Sequence, residues 1–280
     1  MFTKTASRIH TERSKERFAM KNILLSVLIF LASVNAKAEI NLIPFQYGSE
    51  NKTTIPTVHW SKADSKAVVI FLPGGSGSFG VTKRVDAKPN WLLADLYKLS
   101  GVAPLDLVFM DSHSSLQADF GDSYFRWAAR RDPRHIELIK ASILYYRVKT
   151  NKPVFLLGHS NGSLSIAEFL KTSPEHQKLL AGVIFSGSRN ETELKTPLAL
   201  PVLVIHHRSD SNRWTTPRSA ESLFASVKRN NTGMTELAWV EGGRDVAGGD
   251  PTHTGRHMYH EATEEAAEII QNFIARIDTK

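Results

Sequence analysis

The chain has no cysteine, which excludes disulfides, thiolate metal sites and cysteine nucleophiles together. Long apolar runs are lacking as well. The run Ile23–Ala32 falls short of the roughly 20 residues a bilayer crossing needs. Internal repeats and low-complexity tracts are not visible. What is present is ordinary for a globular chain: 280 residues, 41% apolar and 22% charged. That length suits a single α/β domain, and the composition excludes disordered and membrane-embedded classes.

The first 38 residues stand apart. Met20 is followed by a basic Lys21, the apolar run, and Ala36-Lys37-Ala38 as a small-x-small cleavage pattern. This is the layout of a secretory signal peptide. It predicts export to the periplasm or medium, with cleavage after Ala38 and a mature domain over 39–280. An uncleaved anchor is the alternative, and Met20 is a second candidate initiator. Once the signal is removed no stable membrane insertion is expected. The formal net charge of +7 also belongs mostly to this segment, which carries seven of the 35 basic and two of the 28 acidic residues. The remaining 28 against 26 give no electrostatic reason to expect a nucleic-acid partner.

Along the mature chain, short apolar runs alternate with amphipathic ones. AVVIFL (67–72), LDLVFM (105–110), VFLLG (154–158), AGVIFS (181–186) and PVLVIHH (201–207) lack polar alternation, as strands covered on both faces do. TELAWVE (235–241) adds one more. Helical patterns lie between them. One starts at Asp132-Pro133 and one at Thr216-Pro217, each pairing an N-cap residue with proline at the first helical position. The last places Ala266, Ile269, Ile270, Phe273, Ile274 and Ile277 on one stripe. The expected fold is α/β: an open, mostly parallel sheet with helices on both faces and an antiparallel edge from residues 40–62. Arg126, Arg130, Arg131 and Arg134 precede the helix at 132 and read as a solvated basic face, or as a contact for an anionic group.

Gly158-His159-Ser160-Asn161-Gly162 fits G-x-S-x-G between a buried strand and a helix. A sharp strand-to-helix turn raises the serine hydroxyl at the sheet edge, and glycines on either side make room for it. A serine nucleophile needs a base, and the base an orienting acid, both further along the chain. Asp210, just past strand 201–207, is the candidate acid, with Glu191 behind it. The base is sought among His257, His253 and His260. His257 leads because Gly255 lets its loop turn inward; His253 is the alternative, and His260 reads as a surface or capping residue. His206 and His207 read as site lining. Oxyanion donors are expected from the amide of Asn161 and from Gly75 or Ser76 in FLPGGSG.

With FLPGGSG, GHSNG, HHRSD and HMYHE in that order, the mature chain resembles an α/β-hydrolase along nearly its whole length. The resemblance places the family's nucleophile, acid and base on Ser160, Asp210 and His257. The PGG loop resembles the family's HGGG-type oxyanion loop, with Pro73 in place of the leading His.

Other readings are weaker. Gly75-Ser76-Gly77-Ser78-Phe79-Gly80 fits G-x-G-x-x-G after a strand, but no amphipathic helix starts there and Asp95 falls within a helical pattern, so no dinucleotide is expected. A metal held by Asp250, His253, His257 and His260 lacks regular ligand spacing across Gly255, so no metal or other cofactor is expected. A non-catalytic protein on the same scaffold is the remaining class. Only fourteen residues separate strands 181–186 and 201–207, too few for a large cap domain. Residues 111–131, with Phe120, Tyr124, Phe125 and Trp127, form the one sizeable loop available to cover a site, with Trp214 beside it. The expected partner is a small ester or acyl substrate, with peptidase or thioesterase chemistry as the alternative. The sequence gives no basis for an oligomeric state.

Overall fold

The apolar runs pair edge to edge into one sheet. The computed structural model describes residues 38–50, 52–77, 92–98, 104–111, 128–248 and 255–277. The expected export signal, the aromatic residues within 112–127, Arg126, Ser78–Gly80, Asp250 and His253 lie outside the described residues. Among the described residues eight strands run in chain order: β1 (Ala38–Phe45), β2 (Thr53–Trp60), β3 (Ala67–Leu72), β4 (Leu105–Met110), β5 (Val154–His159), β6 (Gly182–Ser186), β7 (Val202–His207) and β8 (Thr235–Val240). The helices are α1 (Leu92–Lys98), α2 (Pro133–Thr150), α3 (Asn161–Thr172), α4 (Pro217–Asn230) and α5 (Thr263–Ala275).

The sheet order is β1-β2-β4-β3-β5-β6-β7-β8. β1 and β2 form the antiparallel edge, and β2 also meets β4 antiparallel. From β4 through β8 every pairing is parallel. β3 to β7 are almost wholly buried, consistent with strands sandwiched between helical layers. Val68, Ile70 and Leu72 of β3, with Leu156, Phe185 and Val204, join one apolar cluster with Ile139 of α2, Phe169 of α3 and Leu223 of α4. On the other face α1 packs on α5, where Gln271 Nε2 donates to the Leu96 carbonyl at 2.7 Å.

A local signal explains the start of α2. Asp132 caps α2 by accepting from the Arg134 amide at 2.8 Å, with Pro133 following it. Thr216 stands at the expected position before Pro217 but does not cap α4; its hydroxyl donates to Asn190 Oδ1 at 3.1 Å. The connection from β6 to β7 carries no helix.

β3 lies between β4 and β5, so the chain leaves the loop after β3 on one side and returns at β5 on the other. Ligands bind at such a topological switch point, outside the carboxyl ends of the strands. Leu72 at the end of β3 pairs with Gly158 at the end of β5, so the glycine loop 73–77 and the turn at Ser160 leave the sheet side by side. The approach is close: a Cβ on Gly162 would sit 2.0 Å from the Leu72 carbonyl oxygen, and one on Gly158 would sit 2.4 Å from that of Gly162. The Gly162→Ala variant is therefore expected to lose at least about 2 kcal/mol of stability by overpacking. Urea unfolding measures it, and a midpoint equal to the unsubstituted chain contradicts the close approach.

Candidate active site

Ser160 occupies the turn between β5 and α3 with φ 53° and ψ −117°. Positive φ at a non-glycine residue is strained, and it persists only where the surroundings enforce it. Here the Ser160 amide donates to the Ser186 carbonyl at 2.9 Å and its carbonyl accepts from Ser163. Ser160 is half-buried, and its Oγ has no hydrogen-bond partner among the described residues. Asn161 opens α3, so its amide points out of the helix start, unpaired among the described residues and at the positive end of the helix dipole.

The loop after β3 closes on this turn. A Cβ on Gly74 would lie 2.9 Å from Ser160 Cβ and 3.5 Å from its Oγ, so only glycine fits. The Gly77 amide donates to the Gly74 carbonyl at 3.1 Å, making residues 74–77 a tight turn with Gly75 at φ 57°. Asn161 Nδ2 donates to the Gly75 carbonyl at 2.9 Å. Gly75 and Ser76 thus stand beside the Ser160 turn. The Gly75 amide has no partner among the described residues.

Asp210 and His257, 47 positions apart, meet in the buried space behind that edge. His257 Nδ1 lies 2.9 Å from Asp210 Oδ2. Thr215 Oγ1 donates to the same Oδ2 at 2.9 Å and lies 3.0 Å from His257 Nδ1. The Asn212 amide donates to Oδ1 at 2.9 Å, and His206 Nε2, which donates to the Thr215 carbonyl at 2.7 Å, stands 3.3 Å from Oδ2. Burial alone would raise the Asp210 pKa, but the hydrogen bonds from His206 and His257 outweigh it and hold the carboxyl well below its usual range. An ionised carboxylate only accepts, so in neutral His257 Nδ1 carries the hydrogen and Nε2 keeps its lone pair. Gly255, at φ 66°, begins the short turn that delivers His257.

His257 is also placed against the Ser160 turn. Its ring centroid lies 4.8 Å from that of His159, the residue before Ser160. Burial, then the neighbouring His257, pushes the His159 pKa well down, so this ring is neutral. Behind it runs a polar chain: His159 Nδ1 to Ser186 Oγ at 3.0 Å, Ser186 Oγ to the Tyr259 hydroxyl at 2.9 Å, and that hydroxyl to the Ile205 carbonyl at 3.2 Å.

The remaining sequence expectations divide. Glu191 is held by Arg189 in two contacts of 3.0 and 2.9 Å on the outside of the molecule, away from His257. His260 is exposed beside Glu261, as a surface residue should be. His206 does face the site through Asp210, whereas His207 does not line it: its Nε2 bonds the Gly242 carbonyl at 2.6 Å. The arginines before α2 are not one solvated face. Arg131 and Arg134 pair with Glu168 and Asp132, but Arg130 is only 1% exposed. Thr215, His159 and Tyr259 escaped sequence reasoning. The signal for His159 and Tyr259 was their place inside GHSNG and HMYHE; Thr215 had none.

No family model and no curated protein matches the chain. Solved structures do. A dienelactone hydrolase from Anabaena variabilis matches with a TM-score of 0.54 at 12% identity, over 86% of this chain and 99% of its own. A Xanthomonas campestris structure described as a member of the α/β serine hydrolases without a lid gives 0.53 at 10%, over 87% and 96%. A Pyrococcus furiosus esterase gives 0.55 at 12%, over 87% and 94%. The chain has the α/β-hydrolase fold.

The cage around Asp210 has a consequence for stability. Its folded pKa lies below the unfolded value near about 4. Ionised Asp210 therefore contributes stability above that pH, and the contribution drains away as pH falls below it. Urea unfolding from about pH 6 down to about pH 3 should show a steeper fall for the unsubstituted chain than for Asp210→Asn. Parallel curves would contradict an ionised, caged Asp210.

Proposed function

We propose that the chain is a serine hydrolase that cleaves a carboxylic ester, or a related acyl bond, through an acyl-enzyme on Ser160. The observation that carries this reading is the buried 2.9 Å contact of His257 Nδ1 with Asp210, at the sheet edge where Ser160 is held at φ 53°. In this reading Ser160 Oγ attacks the substrate carbonyl and its proton passes to His257 Nε2. Asp210 holds the imidazole in that tautomer and stabilises the imidazolium that forms. The developing oxyanion receives hydrogen bonds from the Asn161 amide and from that of Gly75 or Ser76, each typically worth ~3 kcal/mol of barrier. His257 then returns the proton to the leaving alcohol, and water repeats the sequence to release the acid.

The names of the similar structures, a dienelactone hydrolase, a serine hydrolase without a lid and an esterase, support acyl chemistry at an open site. The short, helix-free β6–β7 connection favours small or medium esters over long lipids. The signal-like N-terminus places the enzyme outside the cytoplasm in this reading, with Glu39 as its first mature residue.

A fluorophosphonate probe is expected to label the purified chain at Ser160. Ser160→Ala should abolish labelling and lower kcat on p-nitrophenyl acetate by on the order of 10⁶-fold. His257→Ala should act similarly, while His253→Ala leaves turnover essentially unchanged. Labelling that persists in Ser160→Ala overturns the assignment, and a chain that binds esters without turnover is a non-catalytic relative. The base is separately tested: a collapse confined to His253→Ala transfers that role to His253.

A further inference from the structure

Arg130 is a fully buried guanidinium with no carboxylate partner among the described residues. Burial lowers its pKa to about 10, so it remains charged at neutral pH. Its hydrogen-bond partners among the described residues are dipoles. Nη1 donates to Ser165 Oγ at 3.1 Å, and Nη2 donates to the Pro73 carbonyl at 2.8 Å and the Gly75 carbonyl at 3.4 Å. Ser165 Oγ lies 2.9 Å from His135 Nε2. Burial, then the charge of Arg130, pushes the His135 pKa down to about 3, so His135 is neutral. Arginine can only donate, so Ser165 Oγ accepts from Arg130. A buried charge without a counter-ion is costly, and the surrounding apolar packing gives no reason for one.

The reason lies in what the guanidinium holds. Pro73 and Gly75 belong to the loop that faces Ser160. All described peptides are trans, and in a trans peptide the N–H points opposite to its C=O. Fixing the Pro73 and Gly75 carbonyls therefore fixes the directions of the Gly74 and Ser76 amides. The turn bond from Gly77 to the Gly74 carbonyl fixes the peptide between them, which carries the Gly75 amide. Asn161 Nδ2 shares the Gly75 carbonyl, tying this loop to the other oxyanion donor. Every one of these peptides is thus oriented before substrate arrives, and preorganised donors spend no energy turning during the reaction.

We propose that Arg130 is a positioning residue of the acyl-transfer site: it clamps the glycine loop by the Pro73 and Gly75 carbonyls and turns the opposite, amide side toward the oxyanion. The inference rests on the acyl-transfer reading. Its positive charge, with no carboxylate partner among the described residues, lies behind those peptides and favours negative charge developing in front of them. A residue that acts this way stabilises the transition state more than the bound ester, so its loss should appear in kcat and not in KM.

The test compares the unsubstituted chain with Arg130→Met and Arg130→Lys on p-nitrophenyl acetate. It also measures inhibition by a trifluoromethyl ketone, which forms a tetrahedral adduct on a catalytic serine. Arg130→Met is expected to lower kcat by about 10²-fold, the scale of losing one oxyanion donor, with KM little changed. The ketone's inhibition constant should rise in step with the loss in kcat/KM. Arg130→Lys should recover part of the loss, because an ammonium keeps the charge but lacks the planar fork. A kcat equal to that of the unsubstituted chain in Arg130→Met, a loss seen in KM alone, or a Lys variant no better than Met overturns the proposal. Should Arg130→Met not fold, Arg130→Lys carries the test: reduced kcat at constant KM, with weaker ketone binding, supports it, and unsubstituted behaviour overturns it. An unsubstituted chain that neither turns over the ester nor reacts with fluorophosphonate removes the acyl-transfer reading and this inference with it. An active, labelled chain beside an unaffected Arg130→Met removes the inference alone.

Discussion

Everything at this sheet edge depends on how closely α3 meets β3. The backbone of Gly162 lies against the Leu72 carbonyl, and Gly158 against Gly162. No side chain fits at either contact. The helix must therefore start immediately after β5, with no slack in the connection, and the residue at the corner takes a conformation that an L-residue otherwise avoids. Ser160 is that residue. Packing between a helix and a strand sets its geometry, and the same packing brings the loop after β3 within contact distance of its side chain.

A second constraint is electrostatic. The edge gathers a carboxylate, three buried histidines (His159, His206 and His257) and a buried arginine into one region. These groups are compatible because each is given a defined state. Asp210 is kept ionised by donors on both oxygens. His159 and His135 are kept neutral by burial and by positive or imidazole neighbours. Arg130 stays charged with, among the described residues, only carbonyl and hydroxyl dipoles for company. Water is excluded from most of these groups, so their interactions are stronger than they would be at the surface. The proposed chemistry needs such a region: a base with a fixed tautomer beside a nucleophile, and oriented amides where negative charge would form.

Much of the fold was legible because its signals are local. Unbroken Val, Ile, Leu and Phe runs marked β3 to β7 to within a residue, and Asp132-Pro133 marked the start of α2. Where a local rule failed, a distant partner had outbid it: Thr216 sits before Pro217, yet Asn190 takes its hydroxyl. The arginine cluster shows the same limit. Arg130 and Arg131 are adjacent and chemically identical, and no sequence pattern separates the buried one from the exposed one. Depth follows from which way the chain turns before α2, beneath the loop that follows β3.

The sequence by itself determined the α/β class and the strand-to-helix turn at Ser160, because these depend on residue types a few positions apart. Only the tertiary structure decided which polar groups meet. It joined His257 to Asp210 across 47 positions, set Thr215 against both and laid His159 beside the His257 ring. It also carried Arg130 under Pro73 and Gly75. Those contacts are made by the stacking of separate strands at one sheet edge. Nothing in a linear chain encodes that neighbourhood until the parallel sheet has closed and its loops have been brought side by side.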